Sequence, residues 1–386
     1  MIPRLLQNEL LIQLKEYPIV TVLGPRQAGK TTLVRSALPD YTYVSLEDPD
    51  ERRIAIDDPR AFLRRYPSHV IFDEVQRAPT LVSYLQGIVD DAKINGQFVL
   101  TGSHQLQLRE TITQSLAGRT GILHLLPLSI RELRTADIQP KDFESSLFQG
   151  FLPRVHAENQ RPHIAYANYY QTYVERDVRQ LIRLKDASVF EKFMKLLAGR
   201  VGQVINYQSL SNDVGVDSKT IKQWISILEA SYVVFALPPY FDNFGKRVIK
   251  SPKYYFTDTG LLCYLLGIET TDQVSRDPLV GNLFENLVVL EALKARYNRG
   301  LTSMLYFYRD SRGHEIDLLY SAGGQLTGIE IKSSSTWTPA FKKALMTFSN
   351  RTTTLSKAAI VYSGKPMSLS DGIEVIHYAD TDVLFR

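Results

Sequence analysis

Cysteine is almost absent from this chain: Cys263 stands alone among 386 residues. One thiol excludes an internal disulfide and fits a reducing compartment. With only seven scattered histidines beside it, the sequence offers no ligand spacing for a zinc site. Long apolar runs are lacking as well. No stretch of about 18 apolar residues occurs, so no bilayer-spanning helix is expected. The N-terminal MIPRLLQNELLIQLKEYP carries Glu9, Lys15 and Glu16, unlike a secretory leader. Neither sign of charge is in large surplus, because 45 Lys/Arg against 41 Asp/Glu give +4, too little by itself to argue for nucleic acid. Repeats and low-complexity segments are missing too. What is present is a globular composition, 44% hydrophobic and 22% charged. The length exceeds one ordinary domain of about 150 residues. These features point to a soluble, multidomain protein of the cytoplasm.

Residues 5–15 have helical spacing, and Ile19-Val20-Thr21-Val22-Leu23 is a β-branched run of strand length. It leads into Gly24-Pro25-Arg26-Gln27-Ala28-Gly29-Lys30-Thr31-Thr32 and then the helical LVRSAL. G-x-x-x-x-G-K-T between a strand and a helix is the spacing of a phosphate-binding loop. Gly24 and Gly29 let the backbone curl so that successive N–H groups point inward at a phosphate chain. The following helix adds its positive end, Lys30 reaches the β/γ-phosphates, and the Thr31 hydroxyl ligands Mg²⁺. Arg26 is a further phosphate contact.

Two more strands support that loop. His69-Val70-Ile71-Phe72 ends in Asp73 and Glu74, with Asp73 43 residues beyond Lys30. An aspartate there holds Mg²⁺ through water, and the glutamate beside it polarises the attacking water. Phe98-Val99-Leu100 ends in Thr101-Gly102-Ser103, whose hydroxyls are expected near the γ-phosphate. Ser115-Leu116-Ala117-Gly118-Arg119 closes a helical stretch. The Arg119 guanidinium either reaches a γ-phosphate, in its own chain or across a subunit interface, or answers the helix dipole.

Residues 19–135 resemble the core of AAA+-type ATPases. The strings YTYVSLEDPDERRIAIDDPRAFL, HVIFDEVQ, VLTGSHQ, SLAGR and LLPLSIREL resemble one bacterial and archaeal family. Its members pair such an ATPase with a C-terminal domain of unknown function. The resemblance continues through GFLPRV and YYQTYVERDVRQL and covers nearly the whole chain. It implies binding of ATP and Mg²⁺, with hydrolysis, at the positions just named, and it brings no substrate. In rings of AAA+ type, an arginine such as Arg119 enters the neighbouring subunit's site, so a homo-oligomer is one expectation.

Residues 1–135 are therefore the expected α/β core, with 136–189 a helical connector interrupted at Pro153 and Pro162. Glu175-Arg176-Asp177 reads as a charged helix face engaged in ion pairing. Over 190–260, FEKFMKLLAGRVG is a helix, INY a short strand, QSLSNDVGV a helix and turn, and KTIKQWISILEAS a helix capped by Asp217-Ser218. Two strands then flank a basic loop with Lys246, Arg247 and Lys250. Helix–turn–helix followed by a β-wing is the winged-helix plan. Across 176–253 there are 13 Lys/Arg against 7 Asp/Glu, a net +6 that concentrates the chain's surplus in this module. DNA is the expected partner, gripped through phosphates, because the recognition helix offers only Lys219, Lys222 and Gln223. The alternative is a packing module without DNA.

Residues 275–386 form the last expected domain. A helix carrying Glu285 and Glu291 leads to three strands separated by Gly-containing turns. In Ile329-Glu330-Ile331-Lys332 the side chains alternate, which puts Glu330 and Lys332 on one face. Asp317 stands between two apolar neighbours in the same way. If the strands pair, Asp317 and Glu330 converge on one Mg²⁺ with Lys332 beside it and Glu285 completing the set. The order Glu285, Asp317, Glu330-x-Lys332 resembles the PD-(D/E)XK nuclease superfamily. That resemblance implies an α/β nuclease-like fold and metal-dependent cutting of nucleic acid. The competing reading has the fold persist as a binding platform, its acids in ion pairs with Lys332 or Arg309. The expected function is an ATP-hydrolysing protein acting on nucleic acid, with a nuclease site gated by nucleotide. The alternative is a nucleotide-switched DNA- or protein-binding regulator.

Overall fold

The computed structural model describes residues 2–103, 115–182, 186–241 and 251–385. The loop residues Lys246, Arg247 and Lys250, and the side chains of Arg176 and Asp177, lie outside the described residues. Two compact units result. One comprises Met1–Leu128, Ala230–Tyr232 and Tyr297–Leu301, and the other Ser129–Glu229, Val233–Arg296 and Thr302–Arg386. Among the described residues no helix is long and apolar enough to cross a membrane.

The first unit is a parallel sheet of β1 (Ile19–Leu23), β2 (Thr42–Ser45), β3 (Val70–Asp73), β4 (Phe98–Gly102) and β5 (Thr120–His124), in the order β2-β3-β4-β1-β5. Strands β1, β3 and β4 are buried throughout, as continuous apolar runs require in a sheet covered on both faces. On one face, Leu6, Leu10 and Leu14 of α1 (Leu6–Glu16) and Leu33 and Val34 of α2 (Lys30–Ala37) pack on Val20, Val22, Ile71, Val99 and Leu123. The alternate residues face the other way. Phe72 stacks on Phe98 and meets Phe62 of α4 (Pro59–Arg65), which follows α3 (Pro49–Asp57). Helix α5 (Thr80–Ala92) buries Leu81, Val82, Leu85 and Val89. Because every strand runs the same way, the residues that follow β1, β3 and β4 collect at one edge.

The second unit begins with short helices, α6 (Ile130–Thr135), α7 (Phe143–Gln149), α8 (Pro153–Ala157) and α9 (Pro162–Tyr169). Pro153 and Pro162 open α8 and α9 at the first turn, where a missing N–H costs nothing, instead of interrupting a longer helix. The chain continues as π-helical Tyr170–Val178 and α10 (Arg179–Ile182), with Glu175 3.7 Å from Arg179. Then come α11 (Ala187–Ala198), α12 (Tyr207–Val214), α13 (Ser218–Ala230) and the hairpin β6 (Val234–Leu237) and β7 (Lys253–Phe256). The expected strand at 205–207 is not formed. Asn206 caps α12 through Ser209 N, and only a single bridge joins Val204 to Lys253. Asp217 caps α13, accepting from Thr220 N at 2.9 Å.

After α14 (Thr259–Leu265), α15 (Thr271–Arg276) and the long α16 (Val280–Tyr297), a mixed sheet forms. Its strands are β8 (Leu305–Arg309), β9 (Glu315–Ala322), β10 (Gln325–Lys332), β11 (Leu355–Tyr362), β12 (Met367–Ser368) and β13 (Glu374–His377), ordered β12-β13-β11-β10-β9-β8. β8, β9 and β10 pair antiparallel, while β10, β11 and β13 run parallel. Leu345 and Phe348 of α17 (Lys343–Ser349) pack on Leu319, Leu326 and Ile360. The stretches on either side of residues 190 and 275 fall in the same compact unit. Hydrogen bonds cross the second of these: Asn286 of α16 brackets the Phe256 backbone at 2.7 and 3.0 Å, and Tyr240 N donates to Phe307 O at 2.7 Å.

Candidate functional site

The loop between β1 and α2 follows from three local choices. Gly24 sits where the Leu125 carbonyl closes on the backbone, and a Cβ there would stand 2.0 Å from that oxygen. Gln27 and Gly29 take left-handed conformations with φ of 60° and 89°, the second without any Cβ penalty. The curl ends on the first turn of α2, which no side chain caps, so its N–H groups and positive end are left for an anion. Lys30 is buried, and its ammonium donates to the carbonyls of Gly24 at 3.0 Å and Pro25 at 2.9 Å. Burial lowers its pKa against the pull of Glu74 and Asp73. Outside the loop, Arg4 donates to Ala28 O at 2.5 Å and Leu126 O at 2.6 Å, tying the loop to the chain beyond β5. Arg26 approaches Glu47 at 4.0 Å, and Thr32 is exposed on the first turn of α2.

Asp73 ends β3 beside that turn. Thr31 Oγ1 donates to Asp73 Oδ2 at 3.0 Å, the Tyr43 phenol donates to the same oxygen at 2.7 Å, and Thr101 donates to Oδ1. A hydroxyl and a buried carboxylate thus meet beside a lysine, a donor set of the hard oxygen kind that Mg²⁺ takes. Glu74 follows with φ 56°. Its Oε2 accepts from Ser103 at 2.8 Å and from Gln76, whose amide also donates to Ser103 Oγ at 3.2 Å. Gly24 to Thr32, Asp73, Glu74 and Ser103 therefore gather at one sheet edge.

Arg119 does not join them. It precedes β5, whose first residue Thr120 pairs with Ile19 at the start of β1. That is the opposite edge of the sheet, about 13 Å away for a strand of this length. Its guanidinium forms a two-pronged pair with Asp90, at 2.5 and 2.8 Å. The reading in which Arg119 touches a γ-phosphate of its own chain is corrected accordingly. Arg4, Tyr43 and Gln76 escaped the sequence reading. Tyr43 and Gln76 lie inside YTYVSLED and HVIFDEVQ, which carry no sign of their partners, and the Arg4 contacts span up to 122 residues.

In the second unit, Asp317 and Glu330 come together around a lysine. Lys332 Nζ lies 3.1 Å from Asp317 Oδ2 and 2.7 Å from Glu330 Oε2. Glu285 is held by a second lysine: its Oε1 accepts from Lys253 Nζ at 2.8 Å and from the Tyr255 phenol, and the charge of Asp317 acts on its carboxyl. The same ammonium is 2.6 Å from Glu315 Oε1, and Arg309 is 3.3 Å from the other Glu315 oxygen. Each of the expected ligands Glu285, Asp317 and Glu330 has a lysine ammonium beside it. Among the described residues no three His, Cys, Asp or Glu side chains are arranged to hold a metal. Glu330 Oε1 is buried with no hydrogen-bond donor among them. Burial, then the charge of Asp317, pushes the Glu330 carboxyl up to about 8. Lys253 was missed because it opens the strand string KYYF and read as one more basic residue of a solvated wing.

A parallel sheet whose inner strand feeds a phosphate loop, with a lysine and two carboxylates at the same edge, defines a P-loop ATPase. Comparison with known proteins gives the family. Residues 16–134 match the family described as AAA domain, and 140–272 and 280–380 match domains of unknown function, DUF8612 and DUF4143. The uncharacterized protein Rv2008c of Mycobacterium tuberculosis is 32% identical over 365 residues, covering 93% of this chain and 80% of that protein. The uncharacterized protein MJ1637 of Methanocaldococcus jannaschii is 23% identical over 367 residues, covering 79% and 71%. The chain belongs to the family of the mycobacterial protein, AAA-type P-loop ATPases with a C-terminal DUF4143 domain. Among solved structures, a Walker-type ATPase of Pyrococcus abyssi aligns with 15% identity and a TM-score of 0.45 over 67% of this chain and 94% of that one.

Proposed function

We propose that this ATPase is a nucleotide-driven switch that grips DNA, and that its C-terminal α/β fold docks a partner without cutting. ATP would lie on Gly24 to Thr32, and Thr31 and Asp73 would hold its Mg²⁺, which neutralises phosphate charge. Glu74 would orient and deprotonate the attacking water. A winged-helix reading of 187–256 is supported by the element order helix, helix, helix, hairpin. It is supported too by an exposed stripe on α13, Lys219, Lys222, Gln223 and Ser226, at helical spacing. A PD-(D/E)XK-like reading of 280–377 is supported by the order long helix, three antiparallel strands, helix, parallel strand. One observation carries the non-cutting reading: lysine ammoniums, Lys253 and Lys332, already occupy the spaces between the acids.

The test is a panel of labelled single-stranded, duplex and branched DNAs with Mg²⁺ or Mn²⁺, with and without ATP, using wild type, Lys30→Ala and Lys332→Ala. The expected result is DNA retention that weakens with salt, ATP turnover lost in Lys30→Ala, and no cleavage. Cleavage that disappears in Lys332→Ala would instead establish the nuclease. The observation favouring that second reading is the unpaired, buried Oε1 of Glu330.

A further inference from the structure

The strand β2 contributes one side chain to the nucleotide edge, and nothing above assigns it a task. Tyr43 stands two residues before Ser45, which pairs with Asp73 in the parallel register. Its ring therefore reaches diagonally along the sheet, and its hydroxyl donates to Asp73 Oδ2 at 2.7 Å. The ring is itself covered. The Arg35 guanidinium of α2 lies over it at 4.7 Å.

We infer that Tyr43 is a positioning residue for the metal carboxylate. The count of lone pairs on Asp73 gives the reason. An ionised carboxylate offers about four acceptor sites. Thr31 and Tyr43 fill the two on Oδ2, and Thr101 takes one on Oδ1. One site remains, on Oδ1, for a water of a bound Mg²⁺. Thr31 is the donor whose own oxygen a Mg²⁺ would recruit, so its grip on Oδ2 is the one that nucleotide binding disturbs. Tyr43 keeps Oδ2 occupied through that change and stops the carboxylate turning about its Cβ–Cγ bond. A neutral phenol adds no charge to the site. Its contribution therefore belongs to the metal and not to the phosphates.

The inference rests on the phosphate-loop reading, and one titration separates the two. A fluorescent ATP analogue is bound to the full chain across a series of Mg²⁺ concentrations, and without Mg²⁺, for wild type and Tyr43→Phe. Loss of a residue that orients a metal ligand typically weakens metal affinity by about 10- to 100-fold. The Mg²⁺ midpoint should therefore rise about 10-fold in Tyr43→Phe, while affinity for the metal-free analogue is unchanged. Equal midpoints, or equal losses with and without Mg²⁺, would overturn the inference. The second pattern is that of a general packing defect. If wild type itself binds no analogue, the phosphate-loop reading fails instead. Should Tyr43→Phe melt earlier than wild type, the titration is repeated at a temperature at which both chains are fully folded, with the same rise in the Mg²⁺ midpoint expected and its absence counting against the idea.

Discussion

Glu74 is held in a left-handed conformation, with its carboxylate tethered to Ser103 and Gln76. A non-glycine residue in that region costs on the order of 1–3 kcal/mol, and such strain gathers at functional sites. The residue was legible as the acid after a strand; its backbone conformation and its tether were not. General-base assistance is worth about 10²–10⁴ in rate. Glu74→Gln should therefore lower ATP turnover by that factor while nucleotide binding is retained, measured by steady-state hydrolysis beside a binding titration. Arg119 gives the contrast. It pairs with Asp90 at the far edge of the sheet, so Arg119→Ala should leave turnover by an isolated chain unchanged. Both residues sat in strings that resemble one family. Only the strand register separates the one beside the loop from the one remote from it.

At the scale of elements, the hairpin β6–β7 and the helix α16 are joined by a buried charge. Lys253 is 2% exposed, and its ammonium answers both Glu285 and Glu315. Removing one partner of a buried pair leaves the other uncompensated and destabilises by about 3–5 kcal/mol. Lys253→Ala should cost that much in equilibrium denaturation. Glu285→Gln and Glu315→Gln added to it should recover part of the loss, since they remove the stranded charges. The recovery distinguishes an electrostatic joint from simple packing. A sequence cannot announce such a joint, because Lys253 and Glu285 lie 32 residues apart on different kinds of element.

For the molecule as a whole, the acid cluster of the second unit sets a pH dependence. The Glu330 carboxyl, ordinarily near 4.5, is raised to about 8 by burial and by Asp317. The folded chain thus holds a proton that the unfolded chain gives up, so stability is full below about 4.5 and falls as pH rises toward 8. Denaturant midpoints measured across that window should decline in wild type. In Glu330→Gln, which cannot ionise, they should decline less.

Local order along the chain was written in the sequence. The strand, glycine loop and helix from Ile19 to Ala37 are contiguous, and buried-strand character, turn glycines and capping residues act over a few positions. The same holds for Asp73 and Glu74 at the end of an apolar run, and for Asp317, Glu330 and Lys332 on paired strands. Tertiary structure alone decided which charges meet. It set Tyr43 on Asp73, Arg4 on the loop, Lys253 between Glu285 and Glu315, and Arg119 on Asp90. A side chain's partner depends on strand register and on packing between distant segments, and a buried charge takes whichever counter-charge that packing brings within reach.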